Sequence, residues 1–208
     1  MEIINPKVAE DLAAGRPIRL DLGSGGKQRP GFYAVDHLML PGVDIIADLN
    51  QAFSLLPDNS VCGLYSRHTF EHVQQFLPLM REIHRVCRAD AVIEIIVPHF
   101  SNVYGFSDPT HVRFFGLYTM NYFVAAEDQP RLRRVPAFYT DVRFAIDSIR
   151  FEFYRDSRVD RVLAGMFEKL VNRSLSWQDF YERRLCHVFH AWQLVYRMHP
   201  NKPGVAAA

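Results

Sequence analysis

Arg19-Leu20-Asp21-Leu22-Gly23-Ser24-Gly25-Gly26 is the stretch on which the architecture turns. Ile18 to Leu22 is a short apolar run that stops on glycines, as a buried strand does before a tight turn. Gly23 and Gly25 lack Cβ atoms, so the backbone there can turn sharply and approach a ligand closely. Working outward, Phe32 to Asp36, Val43 to Ala47, Val61 to Ser66 and Ala91 to Val97 read as four further strands. Phe76, Met80, Ile83 and Cys87 recur at helical spacing, which predicts an amphipathic helix over Gln74 to Arg88. Upstream, Asn5-Pro6 opens and Gly15 closes a short helix, with Asn as cap and Pro in the first turn. Strands alternating with helices imply a parallel sheet.

The second half of the chain reads differently. Phe100 to Phe123 is rich in aromatic and turn-forming residues. Ile149, Phe151 and Phe153 alternate with charged residues, and Trp192 to Met198 alternates in the same way, so two late strands are predicted. They suit an antiparallel addition at one sheet edge. Between them, Val162, Met166 and Leu170 predict a helix over Arg161 to Val171.

Composition narrows the classes. Of 208 residues, 49% are hydrophobic and 13% aromatic, enough for a sizeable core in one folded domain. No apolar run approaches a membrane span, and the N-terminus lacks a secretory leader pattern. Three widely spaced cysteines, Cys62, Cys87 and Cys186, offer neither a metal-binding nor a redox pair. A reduced, cytoplasmic protein is expected. Residues 1–130 carry 10 basic against 15 acidic side chains, and residues 131–208 carry 14 against 8. A total of +1 argues against bulk nucleic-acid binding.

Acidic residues at the strand ends give the glycine turn a purpose. Asp36 closes the second predicted strand, where a carboxylate can accept hydrogen bonds from both hydroxyls of a ribose. Asp48 closes the third and can accept from an adenine amino group. A dinucleotide fold wants a third glycine where Gln28 stands and an acid roughly 20 residues on. Here the gap from Gly23 to Asp36 is shorter, and little room remains for a pyrophosphate-binding helix before Phe32. A nucleoside ligand without a pyrophosphate is favoured over a nicotinamide dinucleotide.

Leu20-Asp21-Leu22-Gly23-Ser24-Gly25, Val43-Asp44-Ile45-Ile46-Ala47-Asp48-Leu49, Glu71-His72 and Leu79-Met80-Arg81-Glu82-Ile83-His84-Arg85-Val86 together resemble class I S-adenosylmethionine-dependent methyltransferases. Val97-Pro98-His99-Phe100, followed by Asp108-Pro109-Thr110-His111 and Arg113-Phe114-Phe115, is similar to a stretch of a small bacterial type-11-like subgroup. The resemblance implies an α/β fold: a Rossmann-like, seven-stranded sheet, mostly parallel with an antiparallel last strand, and helices on both faces. It implies one domain over 1–208, with a cofactor-binding half at 17–100 and an acceptor cap and sheet edge at 101–208. Asp21, Gly23, Ser24, Gly25, Asp36, Asp48, Leu49 and His68 are then the expected S-adenosylmethionine contacts.

Methyl transfer from a sulfonium requires alignment and usually removal of an acceptor proton, for which histidine is the natural base near neutral pH. His68, His72, His99 and His111 lie near expected strand ends. His68 follows the fourth strand, within reach of cofactor or acceptor. His72, beside Glu71, reads as a brace for the next helix. His99, Asp108, His111 and Arg113 are expected to form the acceptor site, with Asp108 setting a histidine tautomer. Although His99, Asp108 and His111 also suit a metal, their irregular spacing favours base and positioning roles, and no metal is expected. Eight arginines between Arg131 and Arg161, Arg158 among them, lie among acids including Asp156 and Asp160; most read as a solvated face. Arg113 and part of the 131–134 cluster are expected to favour an anionic or sugar-like small acceptor. Two other functions remain open: a binding protein on this fold without turnover, and an NAD-dependent oxidoreductase.

Overall fold

The computed structural model describes residues 1–155 and 158–202, and of 158–160 the backbone alone. Asp156 and the side chains of Arg158 and Asp160 lie outside the described residues. In chain order the elements are β1 (Glu2–Ile3), α1 (Pro6–Ala13), β2 (Ile18–Leu22), β3 (Tyr33–Asp36), β4 (Ile45–Ile46) and β5 (Val61–Arg67). Then follow α2 (Phe76–Val86), β6 (Cys87–Pro98), β7 (Phe144–Phe153), α3 (Arg158–Val171), α4 (Leu175–Arg184) and β8 (Ala191–Pro200). Short 3-10 turns cover Phe70–His72 and Thr119–Phe123.

Among the described residues, eight strands form one sheet in the order β1-β4-β3-β2-β5-β6-β8-β7. β4, β3, β2, β5 and β6 run parallel. β8 lies antiparallel to both β6 and β7, so β7 points the same way as the parallel set. The late strands are therefore not a simple edge addition, since the last one inserts between its predecessors. The expected seven strands are present. The eighth, β1, is a two-residue strand antiparallel to β4, too short to leave a hydropathy pattern.

Local sequence explains the elements that flank the site. Asn5 caps α1 by accepting from the Lys7 N–H at 3.1 Å. On α2, Phe76, Leu79, Met80, Ile83 and Val86 are buried, the stripe its spacing predicts. Its first turn has no cap of its own; instead the Asn50 side chain accepts from the Gln74 and Gln75 N–H groups at 2.9 and 3.0 Å. Phe76 meets Phe115 and Phe123 edge to face, and Phe123 meets Phe144 likewise, which fastens the aromatic segment after β6 to α2 and β7.

The unpredicted α4 buries polar residues, Gln178 and Asp179, along with Tyr181. Gln178 donates to the Ile149 carbonyl at 2.6 Å and Tyr118 donates to Asp179 at 3.0 Å. A helix held by such bonds shows no apolar period. Between β2 and β3 the chain makes only turns, in keeping with the short spacing. Among the described residues, no helix is long and apolar enough to cross a membrane.

Candidate functional site

β2 is the point where strand order reverses, with β3 and β4 to one side and β5 and β6 to the other. In open α/β sheets, ligands bind beyond the carboxyl ends of the strands at such a point. A cavity of about 490 Å³ lies there, walled by Gly23, Gly25, Asp36, Asp48, Leu49 and Asn50 on one side and His68, Thr69, His72 and Thr110 on the other.

The turn after β2 is held open by its glycines. Gly23 sits at φ 70° and Gly25 at φ 58°, where side chains are disfavoured. A Cβ on Gly23 would collide with Thr69. Gly23 and Ser24 donate to the Val35 carbonyl, and Gly25 donates to the Asp36 carboxylate at 2.8 Å. Asp36 also accepts from the Leu38 N–H at 3.1 Å. His37 Nδ1 lies 3.2 Å from Asp36 Oδ1 as well. A carboxylate has about four acceptor positions, so this one, 7% exposed, keeps about one or two for a ligand. Asp48 is exposed and accepts from Asn50 and Gln51, which holds its carboxyl below the usual range. Leu49 turns a buried side chain to the cavity.

Asp21 and Ser24 are buried but do not line the cavity. Asp21 faces Arg29 at 3.8 Å, and burial raises its carboxyl despite that partner. Ser24 Oγ is enclosed with no hydrogen bond to any described residue.

The histidines divide into two groups. His99 is 1% exposed and belongs to an internal network. Its Nδ1 accepts from the Ser101 N–H at 3.1 Å, so Nε2 carries the proton and donates to Glu182 at 3.2 Å. Burial lowers its pKa, opposed by Glu182. His99 lies apart from Asp108 and His111, packed instead against Phe151 and Tyr181, so the expected trio is not brought together.

Asp108 and His111 do converge, and with residues that sequence reasoning did not group with them. Glu71, His72 and His111 present ligand-type atoms within 4.8 Å of one another. Thr110 donates to Asp108 at 2.6 Å and contacts His72 Nδ1 at 2.8 Å, so His72 faces this segment instead of bracing α2. Burial pushes the Glu71 carboxyl up to about 7. His68 adopts φ 53°, an uncommon left-handed conformation for a non-glycine residue, and its Nε2 meets Gln193 Oε1 at 2.7 Å. Gln193 in turn donates to Glu152 at 2.5 Å, which orients its amide oxygen toward the imidazole. His68 Nε2 is therefore the protonated nitrogen and Nδ1 holds a free lone pair.

Arg113 stacks on Phe76 with its guanidinium 4.7 Å from the ring and donates to the Gln74 carbonyl at 3.3 Å. Neither it nor Arg131, Arg133 and Arg134 lines this cavity. A second, mainly apolar cavity of about 630 Å³ lies among Tyr104, Phe153, Tyr154, Leu163, Phe167 and Phe189.

No family model matches the chain, and no curated protein does. Solved structures match over nearly the whole length. An S-adenosylmethionine-dependent methyltransferase from Archaeoglobus fulgidus aligns at TM-score 0.56 and 15% identity, covering 94% of this chain and 92% of that one. The chain has the class I methyltransferase fold. The YcgJ protein of Bacillus subtilis shares that methyltransferase fold at TM-score 0.53 and 14% identity, over 96% of this chain and 99% of its own. So does the cyclase SpnF, at TM-score 0.52 and 15% identity, over 92% of this chain and 79% of its own.

Proposed function

We propose that the protein binds S-adenosylmethionine in the 490 Å³ cavity and transfers its methyl group to a small acceptor. The observation that carries this reading is Asp36, a buried carboxylate at a strand end, tied to the glycine turn yet with acceptor capacity left. Gly23 and Gly25 would lie against the donor's backbone-facing edge, Asp36 would hold its ribose, and Leu49 with the Asp48 turn would flank its adenine. Bound there, S-adenosylmethionine supplies a methyl group on a sulfonium, which departs as a neutral thioether.

The chain's own task is orientation and proton removal. His68 stands at the cavity wall with Nδ1 unprotonated and its ring held by Gln193, so it can take the acceptor's proton as the new bond to carbon forms. Burial lowers its pKa, which keeps that nitrogen free at neutral pH. His99, enclosed with Glu182, serves the fold in this reading. An anionic or sugar-like acceptor remains part of the proposal, although Arg113, held on Phe76 and Gln74, does not line the cavity and would have to turn toward it to meet that acceptor. A second reading, chemistry other than methyl transfer on the same fold, is favoured by the likeness to the cyclase SpnF.

Thermal melts with S-adenosylmethionine, S-adenosylhomocysteine and NAD side by side test the reading. Each sulfur compound at 100 times its Kd should add about 2.7 kcal/mol of stability, with no effect of NAD. Stabilisation by NAD alone would overturn it.

A further inference from the structure

Glu71 is 1% exposed, and neither carboxylate oxygen has a hydrogen-bond partner among the described residues. A buried carboxylate without donors is unfavourable, so an uncompensated one calls for an explanation. What surrounds it is imidazole. His68 Nδ1 lies 3.9 Å and His111 Nε2 4.0 Å from Glu71 Oε1, and the His72 and His111 rings stand 4.7 Å apart.

The proton inventory of these rings is settled by their outer partners. His111 Nδ1 must donate, because it faces the Gly105 carbonyl at 2.8 Å; Nε2 is left with a lone pair. Thr110 gives its hydroxyl proton to Asp108, so it accepts from His72 Nδ1, and His72 Nε2 is left likewise. Imidazoles that donate one N–H to a carbonyl or a carboxylate-linked group and keep the other nitrogen free are the pattern of metal-ligating histidines. The two segments are also joined, since Val112 donates its N–H to the Glu71 carbonyl at 2.9 Å.

We infer that Glu71, His72 and His111 bind one divalent first-row transition-metal ion at the wall of the cavity. Two imidazoles and one carboxylate suit zinc, iron or cobalt better than calcium or magnesium, which prefer all-oxygen shells. Bonds of about 2.0–2.2 Å place neighbouring ligands roughly 3–3.5 Å apart. Since the three ligand atoms lie within 4.8 Å of one another, modest side-chain movement closes the shell. Asp108 Oδ2, 3.8 Å from His111 Nε2, adds negative charge beside it. Three protein ligands leave open coordination positions, and His72 and Thr110 line the cavity, so the ion would sit at its edge. On the methyl-transfer reading, on which this role alone rests, the ion would acidify an acceptor hydroxyl.

The test uses the full chain without a histidine tag, titrated with cobalt(II) chloride by visible absorption and with zinc chloride by calorimetry. One ion per chain is expected. Glu71→Gln and His111→Ala should each weaken binding at least tenfold. Thr110→Val, an exposed and nearly isosteric change that frees His72, should weaken it about 10–100-fold and guards against a misfolded Glu71 variant. His199→Ala, paired with Asp147 at 2.9 Å, should leave binding unchanged. No saturable binding, or binding indifferent to all three site variants, would mean that Glu71 holds only a proton and overturns the inference. Stabilisation by S-adenosylhomocysteine is read separately, so either idea can fail alone.

Discussion

The Gly25 amide points its hydrogen at the Asp36 carboxylate, 2.8 Å away, so the turn after β2 and the acid ending β3 form one unit. Asp36→Ala therefore removes both a ligand acceptor and a turn partner. Hydrogen bonds to charged groups contribute about 1.5–3 kcal/mol, so S-adenosylhomocysteine affinity should fall tenfold or more. Calorimetry on the folded variant checks this, and unchanged affinity would remove Asp36 from the site.

Gly23→Ala should be more damaging to the fold than to any single contact. The residue lies at φ 70° and its new methyl meets Thr69. Backbone strain alone costs of order 1–3 kcal/mol, and the collision adds to it. A melt showing wild-type stability would mean that the turn relaxes freely.

His68→Asn separates binding from turnover. Asparagine tolerates the left-handed conformation at φ 53° but is no base. The expected result is a folded protein with cofactor affinity within a few-fold of wild type and methyl transfer lowered about 10²–10⁴-fold. Equal rates with any acceptor the wild type uses would reassign the base.

Asn50→Ala tests the remote cap of α2. Two N–H groups lose their acceptor, and losing a cap costs about 0.5–2 kcal/mol. For a chain of this size that is a fall of roughly 1–8 °C in Tm, read by circular dichroism.

His99 contributes acid sensitivity, which the raised Glu71 carboxyl opposes. The His99 pKa is lowered from 6.5 in the folded chain by burial. Below 6.5 the unfolded state therefore binds the proton first, and stability drops as pH falls toward the folded value. His84, shifted the same way by burial, adds to the slope. His99→Gln should flatten the dependence of urea midpoint on pH below 6.5, whereas an identical slope would place the sensitivity elsewhere.

The parallel strands, the glycine turn and the strand-end acids were legible because each is a local pattern of a few residues. The convergence of Glu71 and His72 with His111 was not. Those segments lie about 40 positions apart in the chain, and only the turn through Asp108 and Thr110 brings them together. The enclosure of His99 was hidden for a similar reason, since its partner Glu182 belongs to α4, a helix without an apolar period. The pairing of Glu71 with His72 in one short turn was the available signal, a carboxylate and an imidazole in consecutive positions.

β8 enters the sheet between β6 and β7 although it follows both in the chain. On the ribosome that order imposes a wait. The 37 residues between Phe153 and Ala191 take about 2–7 s to synthesise at roughly 5–20 residues per second. Throughout that interval β7 has no neighbour to pair with, and its aromatic side, Phe151 and Phe153, is open to other nascent chains. The exposed Asp147 and Arg150 put charge into that strand, which disfavours pairing with another chain.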